Sequence, residues 1–258
     1  MSRARESEPR RRGLERILSK LGVCSRSEAR RLIQEGRVKV NRVVIVDPEA
    51  WFDPERDEIQ VDGRAVRAAE KLYYALHKPR GYITSRTDPN ERLTVYALIE
   101  SIGAWVVPVG RLDLDTSGLL LFTNDTQFAD LVSSPASHVE KTYRVECSPR
   151  LDDAALQRLA RGVELADGPT RPARVAEHTH RGPVSRFEIT ITEGRNRQVR
   201  RMVKEVGAKV EKLARIAIGP VQLGDLAAGT VRPLTGAEVR ALIAAGQRAA
   251  STQRRPAT

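Results

Sequence analysis

The spacing of apolar residues changes along this 258-residue chain, and that change limits the folds open to it. Between Leu14 and Leu21 the apolar residues fall at i, i+3, i+4 and i+7, which is one face of a helix that Gly22 ends. Farther on, Phe187 to Thr192 alternates apolar and polar residues, as a half-buried strand does. Regular crossover helices do not separate the strand patterns. The chain is therefore predicted to be α+β, with a mixed, mainly antiparallel sheet flanked by helices.

A second short helix is predicted directly after the first. Ser25 and Glu28 have the spacing of a capping box, and Gly36 ends the helical pattern. Short strands at 38–40, 43–46 and 59–61 follow. These elements predict a small module, and the polar side of its second helix and next strand carries basic residues, which are Arg26, Arg30, Arg31, Arg37 and Lys39.

The charge of the chain indicates the class of its partner. Lysine and arginine total 44 and the acids 33, so the formal net charge is +11 and the sequence pI is about 10.2. Neutralising phosphates releases counterions and drives association, so this excess predicts a polyanionic partner. Anionic lipid would use the same charge, but a basic amphipathic helix with a bulky apolar face is not evident. Nucleic acid is therefore favoured over a membrane.

The sequence also bears on compartment and metal content. No apolar run approaches the roughly eighteen residues of a membrane span, and the N-terminus has no apolar stretch of the signal-peptide kind. A cytoplasmic chain is expected. Cys24 and Cys147 are too few for a disulfide framework or a four-ligand cluster, and the four histidines show no metal-binding spacing. No metal and no cofactor are predicted.

The segment from Gly110 to Asp125 carries the densest chemical signal. Two carboxylates, Asp113 and Asp115, lie in a polar turn that is framed by glycines and followed by the apolar run 119–122. Carboxylates on a loop held by a rigid strand are typical of catalytic sites. On chemistry alone, however, an Asp-x-Asp turn that merely caps the backbone is the favoured interpretation, because such turns are common in loops.

The whole chain resembles a known family. Residues 14–63 resemble the αL RNA-binding module first described in a small-subunit ribosomal protein, and 110–121 resembles the catalytic loop of the Rsu/Rlu-type ribosomal RNA pseudouridine synthases. Four further segments carry the resemblance along the chain: Lys78–Gly81, Glu140–Val145, Glu193–Met202 and Leu213–Gly229. The resemblance implies that the basic face of the module contacts structured RNA, whereas an ordinary solvated helix face is the alternative.

The resemblance also implies roles for individual residues. Asp113 would be the nucleophile, and Tyr143 would pack on a uracil flipped out of its base stack. Arg200 would form a salt bridge with Asp113, with Arg195 as the fallback. Arg111 would fill the space left by the flipped base or hold a phosphate, with an ion pair to Asp115 as the alternative. Leu213 would wall the uracil pocket.

The predicted organisation has five parts: a disordered basic arm at 1–12, the αL module at 13–62, a linker at 63–71, the pseudouridine synthase domain at 72–246 and a disordered tail at 247–258. The expected substrate is a uridine in ribosomal RNA or a pre-ribosomal particle, with large-subunit RNA favoured and a monomer as the default state. Small-subunit RNA, transfer RNA or a non-catalytic assembly role are the alternatives. The sequence does not identify which uridine is modified, or whether Asp113 attacks the sugar or the base.

Overall fold

The computed structural model describes residues 11–67 and 69–252, with side chains described through residue 248. The chain divides into two compact units. The first unit comprises the described residues up to Leu72 with two short later segments, Ala104–Val107 and Asn124–Gln127. The second unit comprises Tyr73–Gly103, Pro108–Thr123 and the described residues from Phe128 onward.

The first unit is built from two short helices and six short strands. In chain order these are β1 (Arg12–Gly13), α1 (Leu14–Lys20), α2 (Arg26–Gln34), β2 (Val38–Val40), β3 (Val43–Ile45), β4 (Trp51–Phe52), β5 (Ile59–Val61) and β6 (Arg64–Ala65). The predicted cap of α2 is confirmed, since Ser25 accepts a hydrogen bond from the Glu28 amide at 3.1 Å. The apolar faces of both helices pack on β2 and β5 in one core around Leu14, Ile33 and Val38.

The rest of the chain contains longer strands and four helices. These are β7 (Tyr73–Lys78), β8 (Val107–Val109), β9 (Ser117–Thr123), α3 (Thr126–Ser133), β10 (Lys141–Ser148), α4 (Asp153–Arg161), β11 (Glu164–Leu165), β12 (Gly168–Pro169), β13 (Arg174–Arg181), β14 (Val184–Ile191), α5 (Gln198–Glu205), β15 (Lys209–Ile218), β16 (Val221–Gln222), β17 (Val231–Pro233) and α6 (Gly236–Thr252). Short 3₁₀ helices occupy Val95–Leu98, Glu100–Ile102 and Pro135–Ser137.

A nine-stranded sheet organises the second unit. Its strand order is β13-β14-β10-β15-β9-β7-β17, with β16 beside β15 and β8 beside β9. Strand β15 pairs with β9 in parallel and with β10 and β16 antiparallel, and β7 pairs antiparallel with β9 and β17. The sheet is therefore mixed and mainly antiparallel, and the predicted α+β class is confirmed.

One face of this sheet is covered by α4 and α5. Val199, Met202 and Val203 form an apolar stripe along α5, and all three are buried. They pack against side chains of β10, β14 and β15, including Val145 and Leu213. This packing sets the position of the segment just before α5, which carries several of the arginines near the candidate site.

The structure corrects three predicted boundaries. Arg12, assigned to the disordered arm, pairs with Phe52 in the β1–β4 ladder. Strand β6 lies inside the predicted linker and pairs with β5. Helix α6 runs to Thr252, beyond the predicted end at 246, because the added residues include two alanines and no proline. The rest of the predicted arm and tail, 1–10 and 253–258, lies outside the described residues. None of the described helices is long and apolar enough to cross a membrane.

Candidate active site

The two carboxylates lie on the loop at residues 110–116, between β8 and β9, which we call the carboxylate loop. The loop enters β9 through Gly118, whose φ is +106°. A Cβ at this position would lie 2.2 Å from the Arg215 carbonyl oxygen on the neighbouring strand β15. Glycine is therefore required there, and its absence of a side chain brings the carboxylate loop close to β15.

The backbone of the carboxylate loop is held along its whole length. Each carbonyl oxygen from residue 111 to 116 accepts a hydrogen bond from outside the loop. The donors are the side chains of Lys78, Arg80, Thr84, Arg200 and Arg215 and the amide of Gly81. Because each of these carbonyl oxygens accepts a hydrogen bond, the loop holds Asp113 in one defined position, as catalytic groups require.

Lys78 is the central anchor of this loop. Its side chain is fully buried, and its ammonium donates to the carbonyl oxygens of Asp113 at 3.1 Å and Thr116 at 2.8 Å. Burial lowers the pKa of Lys78 to about 8, against the opposing charges of Asp113 and Asp115. Removing a cation from water is costly, so its retention here points to a positioning role beside the carboxylates.

The arginine that contacts Asp113 is Arg197, so the predicted pairing with Arg200 or Arg195 is wrong. Arg197 Nη1 lies 3.5 Å from Asp113 Oδ2. Its guanidinium also donates to both carboxylate oxygens of Asp115, at 3.0 Å each. Arg197 reaches both carboxylates because it adopts a left-handed conformation, φ +49°, at the N-cap of α5.

Arg200 and Arg195 have other partners. Arg200 contacts the Asp115 carboxylate at 3.1 Å and its carbonyl oxygen at 3.0 Å. Arg195 contacts Glu193 at 3.4 Å and Asp167 at 3.6 Å. The physical reason is helix phase: the positions of Arg197 and Arg200 differ by about one helical turn, so both face the carboxylate loop, whereas Arg195 precedes the helix and points to β12.

Asp115 is the more strongly paired carboxylate. Burial raises its pKa, but the Arg197 hydrogen bond and the charges of Arg200 and Arg197 outweigh burial, and the net pKa is lowered. The alternative pairing of Arg111 with Asp115 does not occur among the described ion pairs, where Asp115 contacts Arg197 and Arg200. Asp115 thus anchors the arginines, while Asp113 keeps fewer partners and remains available for chemistry.

A cleft of about 860 Å³ adjoins the carboxylate loop. It brings together five of the residues that the sequence analysis singled out, which are Arg111, Asp113, Tyr143, Arg195 and Leu213. Arg200 does not line this cleft; it lines a neighbouring pocket of about 790 Å³ with Arg80, Asp115 and Lys204. The cleft is large enough for a nucleotide, and its lining combines one ring, apolar walls and several cations.

The basic residues predicted to contact RNA in the first unit are all exposed. Three of them lie in ion pairs: Arg30 with Glu15 at 3.0 Å, Arg31 with Glu28 at 2.6 Å and Arg37 with Asp62 at 2.6 Å. Within the described residues, Arg26 and Lys39 lie in no ion pair. The two unpaired cations are therefore the ones most available to a phosphate.

Four residues of the site were not predicted from sequence: Lys78, Lys141, Arg197 and Arg215. The alternation of side chains along a strand could have identified two of them. Lys78 shares a strand face with the buried Leu76, and Lys141 lies two residues before Tyr143, hence on the same face. A lysine on the apolar face of a strand is uncommon and is a marker of a functional position.

Comparison with known proteins decides the family. A family model described as RNA pseudouridylate synthase matches residues 72–205, which is more than half of the chain and contains the carboxylate loop, Tyr143 and Arg197. This chain belongs to that family. A second model, the S4 domain, matches residues 12–49, where the RNA-binding module was predicted. Both predictions of the sequence analysis, the catalytic family and the N-terminal module, are confirmed.

Relatives of the enzyme match over most of their length. A protein of Aquifex aeolicus named an uncharacterized RNA pseudouridine synthase is 40% identical over 233 residues, 90% of this chain and 94% of that protein. The ribosomal large subunit pseudouridine synthase B of Bacillus subtilis is 39% identical over 231 residues, 89% of this chain and 94% of that protein. A crystal structure of a pseudouridylate synthase superposes with a TM-score of 0.64 at 32% identity, covering 89% of this chain and 99% of that one.

Proposed function

We propose that this enzyme converts one specific uridine of large-subunit ribosomal RNA to pseudouridine, with Asp113 as the nucleophile. The observation that carries the assignment of the nucleophile is the contrast between the two loop carboxylates. Asp113 lines the cleft and lies 3.5 Å from one arginine, whereas Asp115 is held by two arginines and lies outside the lining of the cleft.

The proposed roles of the other cleft residues follow from their chemistry. The target nucleotide is flipped into the cleft, since its reacting atoms are hidden in the base stack. Tyr143 stacks on the uracil, an interaction of about 1–3 kcal/mol per base, and Leu213 forms the apolar wall beside it. Arg197 orients Asp113 toward the substrate. Arg111 takes the place of the flipped base or holds a flanking phosphate.

The choice of large-subunit RNA is supported by the relatives. Proteins of Bacillus subtilis and Escherichia coli that carry the name ribosomal large subunit pseudouridine synthase B are 39% and 36% identical to this chain. The exposed cations of the S4 domain, above all Arg26 and Lys39, would add phosphate contacts outside the catalytic unit. We further propose that the enzyme works as a monomer in the cytoplasm, where ribosomal RNA is assembled.

The test is a map of pseudouridine across total ribosomal RNA, in cells with and without the gene for this chain. Carbodiimide treatment stops reverse transcription at each pseudouridine. We expect one large-subunit site to disappear without the gene and to return with wild type but not with Asp113→Asn. The variant should still bind large-subunit RNA, because asparagine preserves the shape of the loop.

Other outcomes of the map have definite meanings. Loss of a small-subunit site would keep the enzyme and overturn the target. An unchanged ribosomal map would move the search to transfer RNA. Restoration of the lost site by Asp113→Asn would overturn the nucleophile and leave the chain as an RNA-binding assembly factor.

A further inference from the structure

Two buried cations line the cleft and lie in no ion pair among the described residues. Lys141 and Arg215 are 8% and 4% exposed, and both belong to the cleft lining. Three carboxylates line the same cleft, and each has an arginine partner: Asp88 with Arg92 at 2.6 Å, Asp113 with Arg197 at 3.5 Å and Glu193 with Arg195 at 3.4 Å. Within the described residues, no carboxylate forms an ion pair with either Lys141 or Arg215.

Strand register places both cations next to the stacking ring. Lys141 and Tyr143 are two residues apart on β10, so their side chains leave the same face of the sheet. Tyr143 is directly opposite Arg215 on β15, and Lys141 is opposite Ile218. Cross-strand partners share a face. The ring, the amine and the guanidinium therefore project together toward one side of the cleft.

Part of the hydrogen-bonding capacity of these cations is unused. Arg215 Nε donates to the Leu119 carbonyl oxygen at 2.8 Å and Nη1 to the Arg111 carbonyl oxygen at 3.4 Å, but the buried Nη2 has no partner. Burial and the charge of Arg215 lower the pKa of Lys141 to about 8. Two buried like charges with spare donors are costly, and a site of this kind is suited to an incoming negative group.

The proposed reaction generates a negative group at this place. In attack on the sugar, an Asp113 carboxylate oxygen bonds to C1′ as the C1′–N1 bond breaks with its electron pair left on the base. Uracil then becomes an anion whose charge is shared by N1 and the carbonyl oxygens. After the base turns, C5 supplies the electron pair of the new bond to C1′, and the C1′–O bond breaks and returns its pair to the Asp113 carboxylate. C5 then loses its proton and N1 gains one. If the Asp113 carboxylate adds to ring C6 instead, the C5–C6 π electron pair is displaced toward C5 and O4. The O4 carbonyl oxygen therefore gains negative charge on this route as well.

We propose that Lys141, with the unpartnered Nη2 of Arg215 beside it, binds the carbonyl oxygens of the flipped uracil and stabilises the charge they gain. This inference rests on the proposed function. Donors aimed at developing charge in a water-poor site act on the rate more than on binding. Lys141 is then a catalytic residue, and Arg215 both holds the Arg111 backbone and extends the charged surface.

The test compares Lys141→Met and Lys141→Arg with wild type on a transcript of unmodified large-subunit ribosomal RNA. Three quantities are measured: the single-turnover rate at saturating enzyme, the RNA dissociation constant and the melting temperature. For Lys141→Met we expect a rate at least 100-fold lower, a dissociation constant within about twofold, and a melting temperature no lower than wild type, because a buried unpaired charge is replaced by an apolar chain. Lys141→Arg should restore part of the rate.

A structural role would give a different result. A lower melting temperature in Lys141→Met, with the rate loss following it, would make Lys141 a structural residue and overturn the proposal. A weaker dissociation constant with an unchanged saturating rate would show that the cation binds a phosphate, and would also overturn it. If wild type modifies no uridine in any RNA, the proposed function fails. If wild type is active and Lys141→Met equally active, this inference alone fails.

Discussion

Asp113 and Asp115 are two residues apart in sequence but differ in surroundings. The Asp113 side chain is 32% exposed and contacts one arginine at 3.5 Å, whereas Asp115 is contacted by two arginines at about 3.0 Å. A carboxylate that contacts a single cation can still attack a substrate. A carboxylate held by two arginines cannot attack without breaking those ion pairs. The chemistry of the loop is thus decided by neighbours contributed by α5.

Replacing Arg197 with glutamine tests this assignment. We expect the single-turnover rate to fall roughly 10- to 100-fold, about 1.4–2.7 kcal/mol in the barrier, because Asp113 loses its cationic neighbour and its orientation. RNA affinity should change less than the rate. The measurement is single-turnover pseudouridine formation at saturating enzyme.

The matched control for Arg197→Gln is Arg201→Gln on the same helix. Arg201 pairs with Asp167 at 2.7 Å and is not part of the cleft lining, so its rate should stay near wild type. Arg200→Gln should fall between the two, since Arg200 holds the Asp115 backbone. A larger loss in Arg200→Gln than in Arg197→Gln would return Arg200 to the role predicted from sequence.

At the scale of elements, helix α6 shows how a short motif stabilises a boundary. Thr235 and Glu238 form a capping box: the Glu238 amide donates to Thr235 Oγ1 at 3.2 Å, and the Thr235 amide donates to Glu238 Oε2 at 2.8 Å. Arg232 on β17 donates to both carboxylate oxygens, at 2.7 and 2.9 Å. The carboxylate therefore joins the helix start to the edge of the large sheet.

Glu238→Gln should destabilise the protein in a pH-dependent way. The Arg232 hydrogen bond and the Thr235 bonds lower the pKa of Glu238 from 4.5 to about 2, against burial. A lowered carboxyl pKa contributes stability that is present above pH 4.5 and lost as pH falls through about 2. We expect the variant to lose about 1–2 kcal/mol at pH 7, with the difference shrinking below pH 4.5. Urea unfolding at pH 7, 5 and 3 measures it.

The control for Glu238→Gln is Glu205→Gln, at the end of the separate helix α5. Glu205 is exposed and lies in no ion pair of the described residues. Its unfolding free energy should match wild type at each pH. A pH-independent loss in Glu238→Gln would mean that packing, and not the charge of the cap, stabilises the start of α6.

At the scale of the whole molecule, the net charge is +11, but the individual cations are not equally available to bind RNA. In the first unit most of the arginines singled out from sequence are neutralised by acids on the same surface. Arg26 and Lys39 are exposed and free of such partners within the described residues. An unpaired cation releases a phosphate counterion on binding without first breaking an ion pair, so these two should dominate the contribution of the S4 domain.

The double variant Arg26→Gln with Lys39→Gln tests whether these two cations dominate RNA binding by the S4 domain. We expect the slope of log affinity against log salt to decrease in magnitude by about 1.4–1.8, which corresponds to two phosphate contacts. The single-turnover rate at saturating enzyme should not change, because neither residue lines the cleft. Filter binding of large-subunit RNA across a salt series measures the slope.

The matched double variant is Arg31→Gln with Arg37→Gln. These cations are also exposed but are paired with Glu28 and Asp62. Their loss should reduce the slope by less. Equal slopes in the two double variants would show that the ion pairs of the free protein do not influence RNA binding.

Much of this fold could be read from local patterns. The helices α1 and α2, the Ser25 cap of α2 and the strand β14 follow from periodicity and capping chemistry that act over a few residues. The family and the nucleophile-bearing loop follow from the run at 110–121. The strands β1 and β6 could not be read, since a two-residue strand has no period of its own and exists only through its partner.

The chain sequence determined which residues could react, and the tertiary structure decided which of them meet. The catalytic loop, the stacking Tyr143 and the basic segment before α5 were all visible as local motifs. That Arg197 and not Arg200 contacts Asp113, and that Lys141 and Arg215 line the cleft outside any ion pair of the described residues, depends on strand register and helix phase across long sequence separations. Those distances are set by packing of the whole sheet, about which a local motif contains no information.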